Sequence, residues 1–184
     1  MAMTPFNLPP VHPAMPSPAH PSPALLDLPA LAAAIGPGQR LIGVDPGAKT
    51  IGLALSDVSL MLASPHSALK RGKLREVAEG IARLARRENA GGLVVGWPVS
   101  MDGTIGPAAQ AVRDWTLALS EMTGLPAALR DERLSSSAVN RFLIGEADLT
   151  RSKRAEAVDR SAAAWMLQGA LDHLRHVAER ERDG

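Results

Sequence analysis

The stretch LIGVDPGAKTIGLALSD, residues 41–57, decides the fold. Leu41–Asp45 is a short apolar run, Pro46-Gly47-Ala48-Lys49 has turn composition, and Ile51–Asp57 is apolar again. Two such runs around a tight turn read as a hairpin. Met61–Leu69 offers a third strand interrupted by Pro65, so the globular part opens with an antiparallel meander. The same residues approach the phosphate-loop pattern G-x-x-x-x-G-K-[ST] through Gly43, Ala48, Lys49 and Thr50. That reading fails. Ala48 replaces a glycine, Asp45 puts a carboxylate where phosphate would lie, and the next residues alternate like a strand instead of opening a helix. What remains is a carboxylate at the end of a buried strand. Asp45 either caps its turn or meets a cationic or hydrogen-bonding partner, because burying it unpaired is costly.

Further along, the period switches. Leu74, Val77, Ala78, Ile81, Leu84 and Ala85 recur at helical spacing and predict a helix over 73–89. LVVGW (93–97) is a buried strand stopped by Pro98, and a second helix runs from Pro107 to Gly124. Residues 126–134 read as a fifth strand, and Ser135 or Ser136 can cap a helix bearing Val139, Phe142 and Leu143. A polar loop over 145–157 and a long helix from about 158 to 180 complete the order βββ-α-β-α-β-α-α. An α/β domain follows: a mixed five-stranded sheet with helices on both faces. Trp115 and Trp165, on apolar helix stripes, are expected in the core, while Trp97 at a strand end is the aromatic open to a ligand.

Composition limits the function. The chain has 184 residues, 46% hydrophobic, with 20 Lys+Arg against 19 Asp+Glu, a net charge of +1 that alone gives no reason to expect nucleic acid. Its lack of cysteine removes disulfides, thiolate metal sites and a cysteine nucleophile. No apolar run is long enough to span a membrane, so a cytoplasmic protein with no membrane partner is expected. The first charged residue is Asp27, and residues 1–26 hold eight of the fifteen prolines. Residues 1–24 therefore read as a disordered or polyproline-like extension. Residues 25–38 read as a short helix (25–35) and linker, 39–180 as the folded domain and 181–184 as a tail.

Two more acidic positions join Asp45. Asp131-Glu132 lies where the fifth strand emerges, and Asp159 opens the last helix ahead of the small residues Ala162, Ala163 and Ala164. Asp159 either compensates the helix dipole or binds a ligand. Three carboxylates at strand or helix ends, with no His or Cys nearby in sequence, suit a hard cation such as Mg²⁺ or Mn²⁺.

GVDPGAKTIGLALSD, VVGWPVSMDGTIG, RDERLSS and VDRSAAAWMLQGALD resemble, in that order, the four blocks of the YqgF/RuvX family. Its members are assigned to pre-16S rRNA cleavage and to Holliday junction resolution. The resemblance spans about 41–175 and implies an RNase H-like fold (βββαβαβα) and a metal-dependent, phosphodiester-cleaving endonuclease leaving a 5′-phosphate. It implies catalytic and metal-binding roles for Asp45, Glu132 and Asp159, with one or two Mg²⁺ or Mn²⁺ ions; Asp131 and Asp102 are the reserves for Glu132. The implied partner is pre-rRNA or branched DNA, and a homodimer if a junction with two strands to cut is the substrate. Thr50, Trp97, Ser100 and Ile105 depart from the family's common Arg, Leu, Asn and Glu, and bear on substrate contacts.

Substrate-binding candidates are Lys49, Arg133 and the basic stretch Arg151, Lys153 and Arg154 preceding Asp159. The segment 70–88 adds seven cations (Lys70, Arg71, Lys73, Arg75, Arg83, Arg86, Arg87) against Glu76, Glu79 and Glu88, which reads as a phosphate track or as a solvated helix face. With 3% aromatic residues and no tyrosine, base stacking is poorly supplied, and backbone recognition is favoured. A non-catalytic RNA-binding assembly factor is the reading from another class. An actin-like ATPase also begins D-x-G-x-K but needs two such domains.

Overall fold

A computed structural model describes residues 25–99, 102–131 and 151–184, with side chains from Arg160 onward in the last segment. The meander is present as β2 (Arg40–Pro46), β3 (Thr50–Ser56) and β4 (Ala63–Lys70), followed by α2 (Leu74–Glu88), β5 (Ala90–Trp97), α3 (Pro107–Thr123) and β6 (Ala127–Asp131). Before them come β1 (Leu25–Leu26) and α1 (Leu28–Ala34), and after them the long α4 (Arg151–Asp183). Among the described residues, six strands lie in the order β1-β6-β5-β2-β3-β4. β3 is antiparallel to both β2 and β4, whereas β2, β5, β6 and β1 run parallel. This is the mixed sheet expected of an RNase H-like domain, with one strand more than the five expected. That strand is two residues long and carries no alternation to read.

Local chemistry accounts for the boundaries. The Asp27 side chain accepts from the Ala30 amide at 2.7 Å and caps α1, which Gly36-Pro37-Gly38 then ends. Asn89 and Gly124 close α2 and α3 in the left-handed conformation. Edge strand β4 accommodates Pro65 at a register shift, where Leu53 pairs with Ser67 and Ala54 with Pro65, leaving His66 bulged. The loop expected over 145–157 is corrected at its far end: helix begins at Arg151, because nothing from there to Gln168 is Gly or Pro and most residues favour helix.

Period-two alternation sorts the sheet into two faces. Ile42, Val44, Leu53, Leu93 and Val95 face α2 and α3. Leu41, Ala54, Val94 and Ala128 face α1 and α4 with Leu28, Leu31, Ala163, Leu167 and Leu171. Trp115 packs against the first core as expected. Trp165 does not enter the second; it is 39% exposed, half a turn from the buried stripe of Ala163, Leu167, Ala170 and Leu171.

At Gly43 the backbone of β2 comes close to α4. A Cβ there would stand 2.8 Å from Leu167 Cβ and 3.1 Å from the Ala163 carbonyl. Only a glycine lets α4 lie this near β2. Gly43→Ala is expected to lift the helix and lower stability by about 1–3 kcal/mol, read from denaturant midpoints; an unchanged midpoint would contradict the packing described.

Candidate active site

Asp45 is the next residue after Gly43 on the α4 face of β2, half-buried at the carboxyl end of the strand. The hairpin that follows is tightly made. The Gly47 amide donates to the Asp45 carbonyl at 2.9 Å, and a Cβ on Gly47 would stand 2.7 Å from the Thr50 carbonyl. Arg71, just past β4, fastens this turn from the side. Its Nη1 donates to the Pro46 carbonyl at 3.1 Å and the Gly47 carbonyl at 2.7 Å, and its amide donates to the Lys49 carbonyl at 2.9 Å. Sequence counted Arg71 only as one of seven cations. Its positioning role depends on Thr50 pairing with Lys70, a contact between residues twenty apart that no local pattern announces.

α4 runs antiparallel to β2. Ser161 and Gln168 share a groove with Pro65 and Ala63, which pair with Ala54 and Ser56. The start of the helix therefore lies toward the Asp45 end of the sheet. Position 159 is one turn before Ala163, a rise of roughly 6 Å, and Asp45 is two strand residues past Gly43, roughly 6.6 Å. Both positions therefore lie on the same side of the contact at Gly43.

The other acidic candidates go elsewhere. Asp131 pairs in register with Trp97, at the end of β6. Alternation sets both on the α2–α3 face, since Leu93, Val95, Ala127 and Leu129 pack there. Trp97 is anchored to that side by its indole Nε1, which donates to the Ala109 carbonyl at 2.8 Å. Asp131 is thus on the opposite face from Asp45. Asp102 lies in an exposed turn, accepting from the Thr104 amide at 2.9 Å and hydroxyl at 2.7 Å. Glu132 and Arg133 lie outside the described residues, as do the side chains of Arg151, Lys153, Arg154 and Asp159. Arg151, Lys153 and Arg154 belong to the first turn of α4 rather than to a loop. Lys49 is exposed in the turn after Asp45.

Among the described residues, no three His, Asp or Glu side chains cluster as a metal site. Displaced titration occurs at other places. The Leu62 amide, then the Ser59 hydroxyl, hold Asp57 down at about 2 in the β3–β4 turn. Burial, then Arg87, lowers His66 on the edge strand. Among the described residues, no helix is long and apolar enough to cross a membrane.

A sequence model of the RuvX family, described as Holliday junction resolvase, matches residues 39–173. A Gluconacetobacter diazotrophicus protein named "Putative pre-16S rRNA nuclease" is 70% identical over 138 residues, covering 75% of this chain and 90% of the relative. A protein of the same name from Acidiphilium cryptum is 58% identical over 157 residues, covering 85% and 99%. Among solved structures, T. thermophilus RuvC in complex with a Holliday junction substrate is similar with a TM-score of 0.46 and 15% identity, over 72% of this chain and 93% of that one.

The turn geometry makes its own prediction. Arg71→Ala removes the hydrogen bonds to the Pro46 and Gly47 carbonyls, so the Gly47 amide is expected to exchange with solvent about fivefold faster, the equivalent of roughly 1 kcal/mol of local opening. Unchanged exchange would mean that Arg71 does not hold the hairpin.

Proposed function

The chain belongs to the RuvX family, and from that premise we propose that it is a metal-dependent endonuclease whose substrate is the 5′ region of pre-16S ribosomal RNA. The observation that carries this reading is the level reached by Asp45 and by α4 on one face of the sheet, with Gly43 against Ala163 and Leu167 as their shared contact. The proposed site is Asp45, Glu132 and Asp159. Asp131 is dropped as a reserve because it ends β6 on the other face, beside Trp97. Asp102 is dropped because its carboxylate serves an exposed turn.

The donor chemistry fits Mg²⁺ or Mn²⁺. The three groups are carboxylates, the chain has no thiol, and His66 is engaged with Ser67 and Arg87 on the edge strand. A bound divalent ion would supply Lewis-acid stabilisation and an activated water for phosphodiester hydrolysis. The protein's own part is orientation. Arg71 holds the turn after Asp45, while Gly43 brings α4 against β2. Lys49, exposed beside that turn, offers a cation to a phosphate flanking the scissile bond, as do Arg133, Arg151, Lys153 and Arg154 in this reading.

Resolution of a Holliday junction is the second reading, favoured by the description of the matching family. It requires a dimer, because a junction has two strands to cut. The test sets a pre-rRNA 5′ fragment beside a synthetic four-way junction under Mg²⁺ and Mn²⁺ titration. Cleavage of the RNA, lost to chelator and reduced by a factor of at least about 10³ in Asp45→Asn with the fold intact, is the expected result. Wild-type rates in Asp45→Asn would remove the catalytic assignment. Preference for the junction would select the second reading, and RNA binding without cleavage in either metal would leave a non-catalytic assembly factor.

A further inference from the structure

Arg75, Arg83 and Arg86 line one groove of about 440 Å³ on the outer side of α2, bounded by Met122 of α3. All three are exposed, and among the described residues their guanidinium groups enter none of the hydrogen bonds or ion pairs found. Glu79 is the one acidic residue lining the groove. Arg75–Glu79 and Glu79–Arg83 stand at i,i+4 spacing on this face, yet neither pair closes into an ion pair among those present. The face also lies away from the core. The apolar stripe of α2 (Val77, Ile81, Leu84) is buried on the other side, so fold stability does not require these arginines.

α2 begins at the same end of the sheet as the turn after Asp45. Lys70 pairs with Thr50, Arg71 binds the turn after Asp45, and Lys73 directly precedes α2. From Arg75 to Arg86 the helix then carries positive charge for roughly 16 Å. A track of that length and sign, poor in aromatic surface, matches a phosphodiester backbone contacted without base reading.

We propose that the α2–α3 groove is a second nucleic-acid site, holding the sugar-phosphate backbone of the substrate as it leaves the Asp45 end of the sheet. This deepens the nuclease reading and takes the chemical class of its ligand from it. Each arginine neutralises phosphate charge, so each contributes to the salt dependence of binding as well as to affinity. Glu79 opposes the contact.

The test measures binding of a labelled pre-rRNA 5′ fragment to the full chain in chelator, where no cleavage occurs, over a series of KCl concentrations. The variant R75Q/R83Q/R86Q keeps good helix formers at all three positions. It is expected to bind at least about tenfold more weakly, with the slope of log Kd against log salt smaller by about 2. Single Arg83→Gln and Arg86→Gln changes should each take about 0.7–0.9 from the slope, which keeps the test decisive if the triple variant fails to fold. Glu79→Gln should tighten binding. Unchanged affinity and slope in the arginine variants overturn the proposal, whether those residues face only solvent or an acidic protein. Wild-type cleavage assayed in parallel separates the two readings. A chain that binds with the full slope but cuts nothing loses the nuclease assignment and keeps the groove. A chain that cuts while its arginine variants bind normally loses the groove alone.

Discussion

At Gly43 the backbone of one strand touches the side of a helix. A Cβ there would overlap that of Leu167 and press on the Ala163 carbonyl. Much of the molecule follows from that contact. It brings α4 down across β2, β3 and β4, buries Leu167 and Leu171 completely and sets the level at which the helix passes the sheet. Each such leucine contributes about 1.5–3 kcal/mol, so the contact stabilises the fold as well as the geometry. The proposed site lies on its upward continuation, two residues along the strand and one turn back along the helix.

Alternation then decides which acidic groups can meet there. Residues 41, 43 and 45 of β2 look toward α4, while 42 and 44 look toward α2 and α3. On β6 the same rule puts Ala128 on the α4 side and Leu129 on the other, and Asp131 follows Leu129. A one-residue difference in position is a change of face. Asp131 and Glu132 are adjacent in sequence and equivalent by charge, yet the register excludes the first from a site built around Asp45.

Most of the sheet was legible because its signals are local. The 41–57 hairpin, the switch to helical period at Leu74 and the Pro98 stop all depend on residues within a few positions of each other. The features that sequence missed depend on distant partners. β1 has two residues and exists by pairing with β6, a hundred positions away. Arg71 looks like one charge in a basic run until β4 returns beside β3 and delivers it to the Asp45 turn. Trp165 fits an apolar stripe by composition, but the buried stripe is fixed by Gly43, and Trp165 falls half a turn away from it. α4 begins before the position its period suggests: the charged run 151–157 reads as a loop, although Arg, Lys, Ala and Glu are also good helix formers. Of the proposed site, the carboxylate at the end of β2 and the helix that approaches it can be read from local signals, whereas the preference for Glu132 over Asp131 rests on the family resemblance, since nothing local in the sequence gives the face of β6.

In the proposed site, the close approach of α4 to β2 brings Asp45 and Asp159 to one cation. Calorimetric titration of Mn²⁺ into the full chain, without substrate, tests it most directly. Asp45→Asn and Asp159→Asn are each expected to weaken binding by at least about tenfold while the melting temperature of the metal-free protein stays within a few degrees of wild type. Mn²⁺ binding that survives Asp45→Asn unchanged would contradict it.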